Sequence, residues 1–312
     1  MSVYLPDGNN PLEDYMIFAD VDLIVTDLDG TLIDGDAPVL SQIKKSIAKL
    51  KKKHTQITVA TGRTYCGAAI RMQELGIDVG MPVALYNGGV VVEYGTGNIL
   101  YASYVPSGVA KELLNVVDLQ KSNILVYTFS ACSPFTANNE NSLIKENVYV
   151  WGRYRNEQDV NGMPAQRMSL EEKIDMKISA ILVSNTDMSQ EEKQKIFNVL
   201  HKYTNIKVTT SGNGYIEIKG EGMNKGIIYD ILKKHEKFMA KKILAIGDND
   251  NDIELFSGAD ISVAVANSSP LAFDYADYVC DNNSAQGFYE MLSVLEMAKR
   301  YYKGDTHDRR II

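Results

Sequence analysis

Two apolar runs that lie far apart in the chain each end in a cluster of acidic residues. The first, Val21–Thr26, is a short β-branched run of the kind that a parallel sheet buries, and it leads directly into Asp27-Leu28-Asp29-Gly30-Thr31. The second run, at 241–246, leads in the same way into the acidic stretch 247–252. Because ligands of an open parallel sheet bind outside the carboxyl ends of its strands, we expect both clusters to contribute to one site.

The segments after the first cluster predict alternating helices and strands. Apolar side chains recur at helical spacing between Pro38 and Lys53, and Ile57–Thr61 follows as a second strand. The order of strand, helix and strand implies a right-handed crossover in a parallel sheet. The same style returns near the end of the chain, so we predict an α/β fold with a parallel sheet flanked by helices.

The sequence predicts three regions. Residues 1–20 are rich in Pro, Asp, Asn and Gly and are predicted to be an extension ahead of the first core element. Residues 21–90 and 211–312 are predicted to form the α/β core. Residues 91–210 carry mixed strand and helix signals without a dense acidic cluster, which predicts an inserted α+β domain. A chain of 312 residues is long enough for two domains.

Composition and charge limit the classes of function. The formal net charge of −8 argues against broad binding to nucleic acid or acidic membranes, because such partners require a basic surface. No segment approaches the roughly 18 uninterrupted apolar residues of a membrane span. The three cysteines, Cys66, Cys132 and Cys280, form neither a disulfide framework nor a zinc-site spacing. These features predict a soluble protein of the reducing cytoplasm.

Each acidic cluster has a simpler alternative interpretation when it is taken alone. Asp, Asn and Gly are common turn residues, so either cluster is compatible with a solvated loop. An Asp-x-Asp-Gly-Thr sequence arises by chance on the order of once in a few hundred chains, and more rarely behind an apolar strand. The occurrence of both clusters at strand ends of one predicted sheet therefore favours a shared chemical site over two separate surface loops.

Four segments together resemble the motifs of a known enzyme superfamily. Asp27–Leu32 (DLDGTL) resembles motif I of the haloacid dehalogenase superfamily, and Ala60–Arg63 (ATGR) resembles motif II. Met223–Gly226 (MNKG) resembles motif III, and Gly247–Asp252 (GDNDND) resembles motif IV. Their order is similar to that of Cof-type phosphatases, in which an α/β cap of the C2 type is inserted between motifs II and III. The least typical feature within the motifs is the acidic Asp250.

This resemblance implies a chemical role for each acidic position. Asp27 matches the nucleophile that attacks phosphorus, and Asp29 matches the general acid and base. Asp27, Asp248 and the backbone carbonyl of Asp29 match the ligands of a Mg²⁺ ion, which prefers hard oxygen ligands. Two anions repel each other, so a cation is expected between the nucleophile and the phosphate.

The resemblance also implies contacts to the phosphoester. A strand-end threonine or a lysine near a helix start is more often structural or solvated when it is seen alone, and only the motif context assigns such residues to the site. The positions predicted to bind phosphate are Thr61, Gly62, Lys225 and Asn251. Those predicted to contact or support the substrate are Arg63, Asn87, Gly88 and Asp252.

The leading hypothesis is a capped, Mg²⁺-dependent phosphatase that acts on a small phosphoester, with sugar phosphates the commonest substrate class for proteins of this resemblance. A cap that closes over the site would exclude water and select the leaving group, so specificity is expected to reside in the inserted domain. The alternatives are a phosphomutase that uses the same aspartyl-phosphate, and a phospholigand-binding protein without turnover. The sequence leaves the leaving group and the oligomeric state open.

Overall fold

The computed structural model divides the chain into two compact units. Unit 1 comprises Met1–Thr61, Ile70–Val83 and Asn224–Ile312, and unit 2 comprises Gly62–Ala69 and Ala84–Met223. The chain therefore passes between the units after residues 61, 69, 83 and 223. The residues that the structure describes are 3–7, 9–131, 144–152, 163, 165–168, 177–211, 214–239 and 241–302.

Strands and helices follow one another along most of the described chain. The strands are β1 (Val3–Tyr4), β2 (Val21–Thr26), β3 (Gln56–Val59), β4 (Pro82–Leu85), β5 (Val90–Glu93), β6 (Ile99–Ala102), β7 (Asn123–Ala131), β8 (Ile144–Gly152), β9 (Ala165–Arg167), β10 (Ile178–Ser184), β11 (Ile206–Ser211), β12 (Tyr215–Gly220), β13 (Lys242–Gly247), β14 (Ile261–Ala264) and β15 (Tyr278–Val279). The α-helices are α1 (Ser41–Lys52), α2 (Tyr65–Glu74), α3 (Ser107–Val116), α4 (Gln190–Leu200), α5 (Ile227–Lys234), α6 (Ile253–Gly258), α7 (Pro270–Tyr275) and α8 (Ser284–Tyr302). Short 3-10 helices span Leu12–Phe18, Tyr86–Gly88 and Asp250–Asp252.

Unit 1 contains a parallel sheet whose strand order is β1-β15-β14-β13-β2-β3. Strand β2 lies between β13 and β3, and its apolar side chains are buried because both faces of a parallel sheet are covered. Helix α1 buries Ile43, Ile47 and Leu50, which recur along one face at the spacing of a helix. Helix α8 packs against α1.

The first twenty residues contribute to this unit. Strand β1 pairs in parallel with β15 at one edge of the sheet, where Val3 lies opposite Tyr278. The 3-10 helix Leu12–Phe18 packs against α8 and buries Tyr15 and Phe18. The centroid of the Phe18 ring lies 5.0 Å from that of the Tyr278 ring. The segment predicted as an extension therefore supplies an edge strand and part of the apolar core of unit 1.

Unit 2 is built on a mostly antiparallel sheet with the order β11-β12-β10-β7-β8-β9. Only β8 and β9 run parallel among the described pairs of this sheet. Alternate side chains of β7 and β10, such as Ile124, Val126 and Ile181, join the apolar faces of α3 and α4 in one core. A further sheet has the order β4-β5-β6.

The predicted fold class is confirmed: a parallel sheet with helices is accompanied by a second region of antiparallel strands and helices. Unit 2 extends beyond the predicted segment 91–210 at both ends, and it includes the separate segment Gly62–Ala69. Whether this unit acts as a cap stays a prediction.

Two further observations bear on the expected class of protein. Among the described residues, none of the helices combines the length and apolar character that crossing a membrane requires. Cys66 is exposed and Cys280 is buried, and both are free thiols. Cys132 lies outside the described residues.

Candidate active site

The two acidic clusters meet because their strands are neighbours. Thr26 of β2 lies opposite Ile246 of β13, and the Asp27 N–H donates to the Ile246 carbonyl at 3.0 Å. Both chains therefore leave the sheet side by side at its carboxyl edge. Carboxylate oxygens of Asp27, Asp248 and Asp252 lie within 4.8 Å of one another. Of these three residues, Asp27 and Asp252 are buried.

A buried ammonium group completes this cluster. Lys225 lies two residues before α5 and is fully buried, and its Nζ is 2.8 Å from Oδ1 of Asp27 and 2.7 Å from Oδ1 of Asp252. Burial lowers the pKa of Lys225, but the charges of Asp252 and Asp27 outweigh this effect and raise it above its usual range. Lys225 is therefore a permanent cation that links the two acidic clusters.

The carboxylate of Asp252 serves mainly to shape the loop after β13. Its Oδ2 accepts from the N–H groups of Asp248 and Asn249 at 3.0 and 3.1 Å, while its Oδ1 binds Lys225. Gly247 makes this approach possible, since a Cβ there would lie 2.5 Å from Cγ of Asp252. Both Asp252 oxygens are thus engaged by protein donors, which leaves Asp27 and Asp248 as the side chains suited to hold a cation.

Asp248 is held in place by residues to which the sequence analysis assigned no individual role. The Thr31 hydroxyl donates to Oδ1 of Asp248 at 2.9 Å, and the Ser269 N–H donates to the Asp248 carbonyl at 2.8 Å. Gly30 has φ +80° and touches the Asp248 carboxylate so closely that a Cβ would overlap it. The Asn267 amide donates to the Gly30 carbonyl at 2.9 Å.

The sequence carried signals that pointed to some of these supporting residues. Thr31 belongs to the motif that begins at Asp27, so its position indicated that it lies at the site. The sequence did not show that its hydrogen-bond partner would be Asp248. Asn267 and Ser269 follow β14, the strand beside β13, and a polar segment after a third parallel strand is the signal that could have found them.

The electrostatics of the cluster favour a bound cation. Burial raises the pKa of Asp27 to about 8, although Lys225 opposes this shift. Burial also raises the pKa of Asp248 to about 6, which the hydrogen bond from Thr31 partly offsets. The single buried ammonium of Lys225 therefore does not fully compensate the neighbouring carboxylates, and a divalent cation would stabilise their ionised forms.

The structure also places three further positions of the core motifs, Thr61, Asp29 and Asn251. Ala60 donates its N–H to the Thr26 carbonyl at 2.9 Å, so the buried Thr61 leaves the sheet beside the end of β2. Asp29 is exposed, and its backbone bridges to Ile33. Asn251 is exposed in the 3-10 helix Asp250–Asp252.

The other predicted substrate positions form a group within unit 2. The Arg63 carbonyl accepts from the Tyr86 N–H at 3.1 Å, and Nη1 of Arg63 donates to the Gly67 carbonyl at 3.1 Å. The Asn87 side chain lies against Gly62, where a Cβ would be 3.1 Å from Oδ1 of Asn87. Gly88 ends the 3-10 helix that contains Asn87. The structure thus groups these four residues with one another.

Comparisons with known proteins identify the family. The sequence profile of haloacid dehalogenase-like hydrolases matches residues 24–292. The chain is 22% identical to the 5-amino-6-(5-phospho-D-ribitylamino)uracil phosphatase YcsE of Bacillus subtilis over 269 residues, which cover 86% of this chain and 93% of that protein.

Solved structures show the same fold. A haloacid dehalogenase-like hydrolase from Bacteroides thetaiotaomicron matches with a TM-score of 0.69 and 20% identity, over 88% of this chain and 98% of that one. The subclass IIB sugar phosphatase BT4131 matches with a TM-score of 0.64 and 16% identity, over 88% of this chain and 99% of that one. The chain therefore belongs to the haloacid dehalogenase-like hydrolases and is a phosphatase of their Cof type.

Proposed function

We propose that this phosphatase hydrolyses a small phosphorylated metabolite, a sugar or polyol phosphate, through an aspartyl-phosphate on Asp27 in a Mg²⁺-dependent reaction. One observation carries the proposal: Asp27 and Asp248 lie together at neighbouring strand ends, with the Lys225 ammonium 2.8 Å from Asp27. This arrangement offers a nucleophile, a cation site and a fixed positive charge within one cluster.

Asp27 and Asp248, with the backbone carbonyl of Asp29, would hold the Mg²⁺ ion. Their hard oxygen atoms and unbalanced charge fit such an ion, which would supply charge neutralisation where two anions approach. Thr31 and Ser269 keep Asp248 in position for this role through the two hydrogen bonds described above.

In the first step a carboxylate oxygen of Asp27 attacks phosphorus, and the bond between phosphorus and the alcohol oxygen breaks. Asp29 donates its proton to the leaving alkoxide. In the second step Asp29 takes a proton from water, whose oxygen attacks phosphorus and releases phosphate from Asp27. Phosphate monoesters hydrolyse extremely slowly without a catalyst. The covalent intermediate on Asp27 replaces this one slow step by two displacements with lower barriers.

The remaining predicted residues would bind the phosphoryl group or support the groups around it. Thr61 would donate its hydroxyl to the transferring phosphoryl oxygens, with backbone N–H groups near Gly62. Lys225 orients the nucleophile by its bonds to Asp27 and Asp252 and contributes positive charge. Asn251 and Asp252 would support the phosphate-binding loop.

The substrate class rests on the named relatives. One acts on a phosphorylated ribityl compound and another is a sugar phosphatase, so both leaving groups are polyhydroxylated. We assign the choice among such leaving groups to residues 91–210, as the cap, with 21–90 and 211–312 as the core. A cytoplasmic location fits the acidic composition and the free thiols of Cys66 and Cys280.

A phosphate-release screen over sugar, polyol and nucleotide phosphates, with and without Mg²⁺, tests the proposal. The Asp27→Asn variant should lose Mg²⁺-dependent release by at least about 10³-fold while its circular dichroism stays unchanged. Turnover of that variant at the wild-type rate contradicts the mechanism. Isomerised product without free phosphate would identify a phosphomutase, and tight Mg²⁺-dependent binding without turnover would identify a phospholigand-binding protein.

A further inference from the structure

The carboxylate of Glu146, on β8, lies at the first turn of α2 within unit 2. Its Oε1 accepts from the Tyr65 N–H and its Oε2 from the Cys66 N–H, both at 2.8 Å. The following N–H group, that of Gly67, donates to the Thr64 hydroxyl oxygen at 3.0 Å. The first N–H groups of a helix have no partner within the helix, and a carboxylate there is also favoured by the helix dipole. Glu146 therefore fixes the start of α2 from a distant part of the chain.

The same carboxylate holds a second segment. The Tyr86 hydroxyl donates to Oε1 of Glu146 at 2.7 Å, and the buried Tyr86 ring stands edge-on to the rings of Tyr127 and Phe129. Burial and the nearby carboxylate raise the pKa of Tyr86 well above its usual range, so the hydroxyl remains a neutral donor. One acidic side chain thus binds the backbone of one segment and a tyrosine side chain of another.

The second segment is conformationally strained. Tyr86 and Asn87 have φ values of 53° and 55°, in the left-handed region that residues other than glycine rarely adopt. Such conformations cost on the order of 1–3 kcal/mol each and persist only where the surroundings enforce them. Two strained residues in succession therefore need external contacts, and the hydrogen bond to Glu146 is one of these.

Both segments held by Glu146 carry residues that we assign to the substrate. Gly62 and Arg63 immediately precede the first turn of α2, and Asn87 follows Tyr86 directly. The two segments are also joined to each other, because the Tyr86 N–H donates to the Arg63 carbonyl and Asn87 lies against Gly62. A shift of either segment would thus move several of the assigned contacts together.

From these contacts we infer that Glu146 is a positioning residue of this phosphatase. It does not touch the reacting atoms but holds the loop at 62–64 and the turn at 86–88 in the arrangement that binds the phosphoester. The inference rests on the proposed function for the identity of the ligand, and on the hydrogen bonds of Glu146 for the mechanism.

The test compares Glu146→Gln with a matched control. Glutamine keeps the shape of the side chain but places an amide donor against one of the N–H or O–H donors, so at least one hydrogen bond is lost. We expect kcat/KM to fall by about 10- to 100-fold, with KM raised, because displaced binding groups weaken substrate contact. The control is Glu192→Gln, since Glu192 also binds an N–H at a helix start in unit 2, that of Ser189 at 2.7 Å. Its kcat/KM should stay within about twofold of the wild type.

The thiol of Cys66 reports independently on whether the contact has been broken. Although Cys66 is exposed, partial desolvation of its thiol and the adjacent Glu146 carboxylate raise the pKa of Cys66 to about 12. Glu146→Gln should therefore make Cys66 react with iodoacetamide about tenfold faster or more, as measured by peptide mass spectrometry. Faster alkylation with unchanged kcat/KM overturns the inference, as does a variant in which neither quantity changes.

The inference can fail separately from the proposed function. If the wild type releases no phosphate from any substrate, orthophosphate binding in the presence of Mg²⁺ is measured by calorimetry instead. Binding that is about tenfold weaker in Glu146→Gln than in Glu192→Gln supports the positioning role even then. Equal affinities, or no orthophosphate binding by any of the three proteins, overturn it.

Discussion

Lys225 is an ammonium group from which water is fully excluded and whose two partners are both carboxylates. Removing one member of a buried charge network leaves the others without compensation, which destabilises a protein more than the network itself stabilises it. The residue therefore couples the folding of the core to the arrangement of the proposed nucleophile.

We predict that Lys225→Met lowers the free energy of unfolding by about 3–5 kcal/mol in urea denaturation. The control is Lys49→Met, whose pair with Glu296 is largely exposed on the lysine side and which should change stability by about 0–1 kcal/mol. If the two variants lost equal free energy of unfolding, the buried charge of Lys225 would be no more important for stability than the exposed charge of Lys49.

Thr31 illustrates a different effect, in which a hydroxyl acts through another residue. Thr31→Val removes the hydrogen bond to Asp248, and we expect Mg²⁺ affinity to fall by about 10- to 100-fold because the ligand is no longer oriented. Isothermal titration calorimetry measures this directly. Thr55→Val removes a similarly buried bond, to the Val21 carbonyl, and should reduce stability by about 1 kcal/mol while leaving Mg²⁺ affinity unchanged.

At the scale of elements, the segment before β2 is integrated into unit 1. Its 3-10 helix buries aromatic side chains beside α8, and its strand β1 covers one edge of the parallel sheet. An edge that is covered in this way exposes fewer unpaired backbone groups.

We predict that Phe18→Ala lowers the free energy of unfolding by about 3–5 kcal/mol, because its side chain is completely buried. Met16→Ala alters the same short helix at a side chain that is 45% exposed, and should change stability by about 0.5 kcal/mol or less. Chemical denaturation of both variants provides the measurement, and similar values for the two would contradict the assignment of Phe18 to the core.

The sequence predicted the elements whose pattern is local. Strand β2 was predicted at the bounds that the structure shows, because a continuous β-branched run is a strong signal. Strand β8, with the sequence IKENVYVWG, was not predicted, because its mixture of polar and apolar residues is stabilised as a strand by pairing with β7. Strand β1 was missed for a similar reason, as its pairing with β15 joins opposite ends of the chain.

The same distinction applies to the site. Parallel strand ends predicted that Asp27 and Asp248 would approach each other, because that depends only on sheet topology. The bonds from Thr31 and Ser269 to Asp248 depend on the paths of loops, which the sequence does not show. The chemical roles of these residues stay predictions that activity measurements will decide.

At the scale of the whole molecule, ionisation of the acidic cluster links stability to pH. The pKa of Asp27 is about 8 in the folded protein and about 4 in an unfolded chain, so only the folded state keeps the proton between these values. The stabilisation from the protonated carboxyl is therefore present at low pH and is lost as the pH rises through this range.

We predict that in EDTA the Tm of the wild type falls more steeply between about pH 5 and about pH 8 than that of Asp27→Asn, which has no proton to lose there. Added Mg²⁺ should raise the Tm of the wild type most at the alkaline end, where protons no longer compete for the ligands. Thermal scans over this range provide the measurement, and parallel slopes in the two proteins would refute the linkage.

The path of the chain between the two units limits which segments can be removed from this enzyme without disrupting its fold. A polypeptide that crossed only twice could lose its insertion by two cuts and one ligation, but this chain crosses after residues 61, 69, 83 and 223. Excision of 91–210 would strip Glu146 from the first turn of α2 and leave Gly62–Ala69 without the neighbours it folds against. We therefore expect that substrate specificity is changed more readily by single substitutions within unit 2 than by replacing the whole of residues 91–210 with the corresponding segment of a relative.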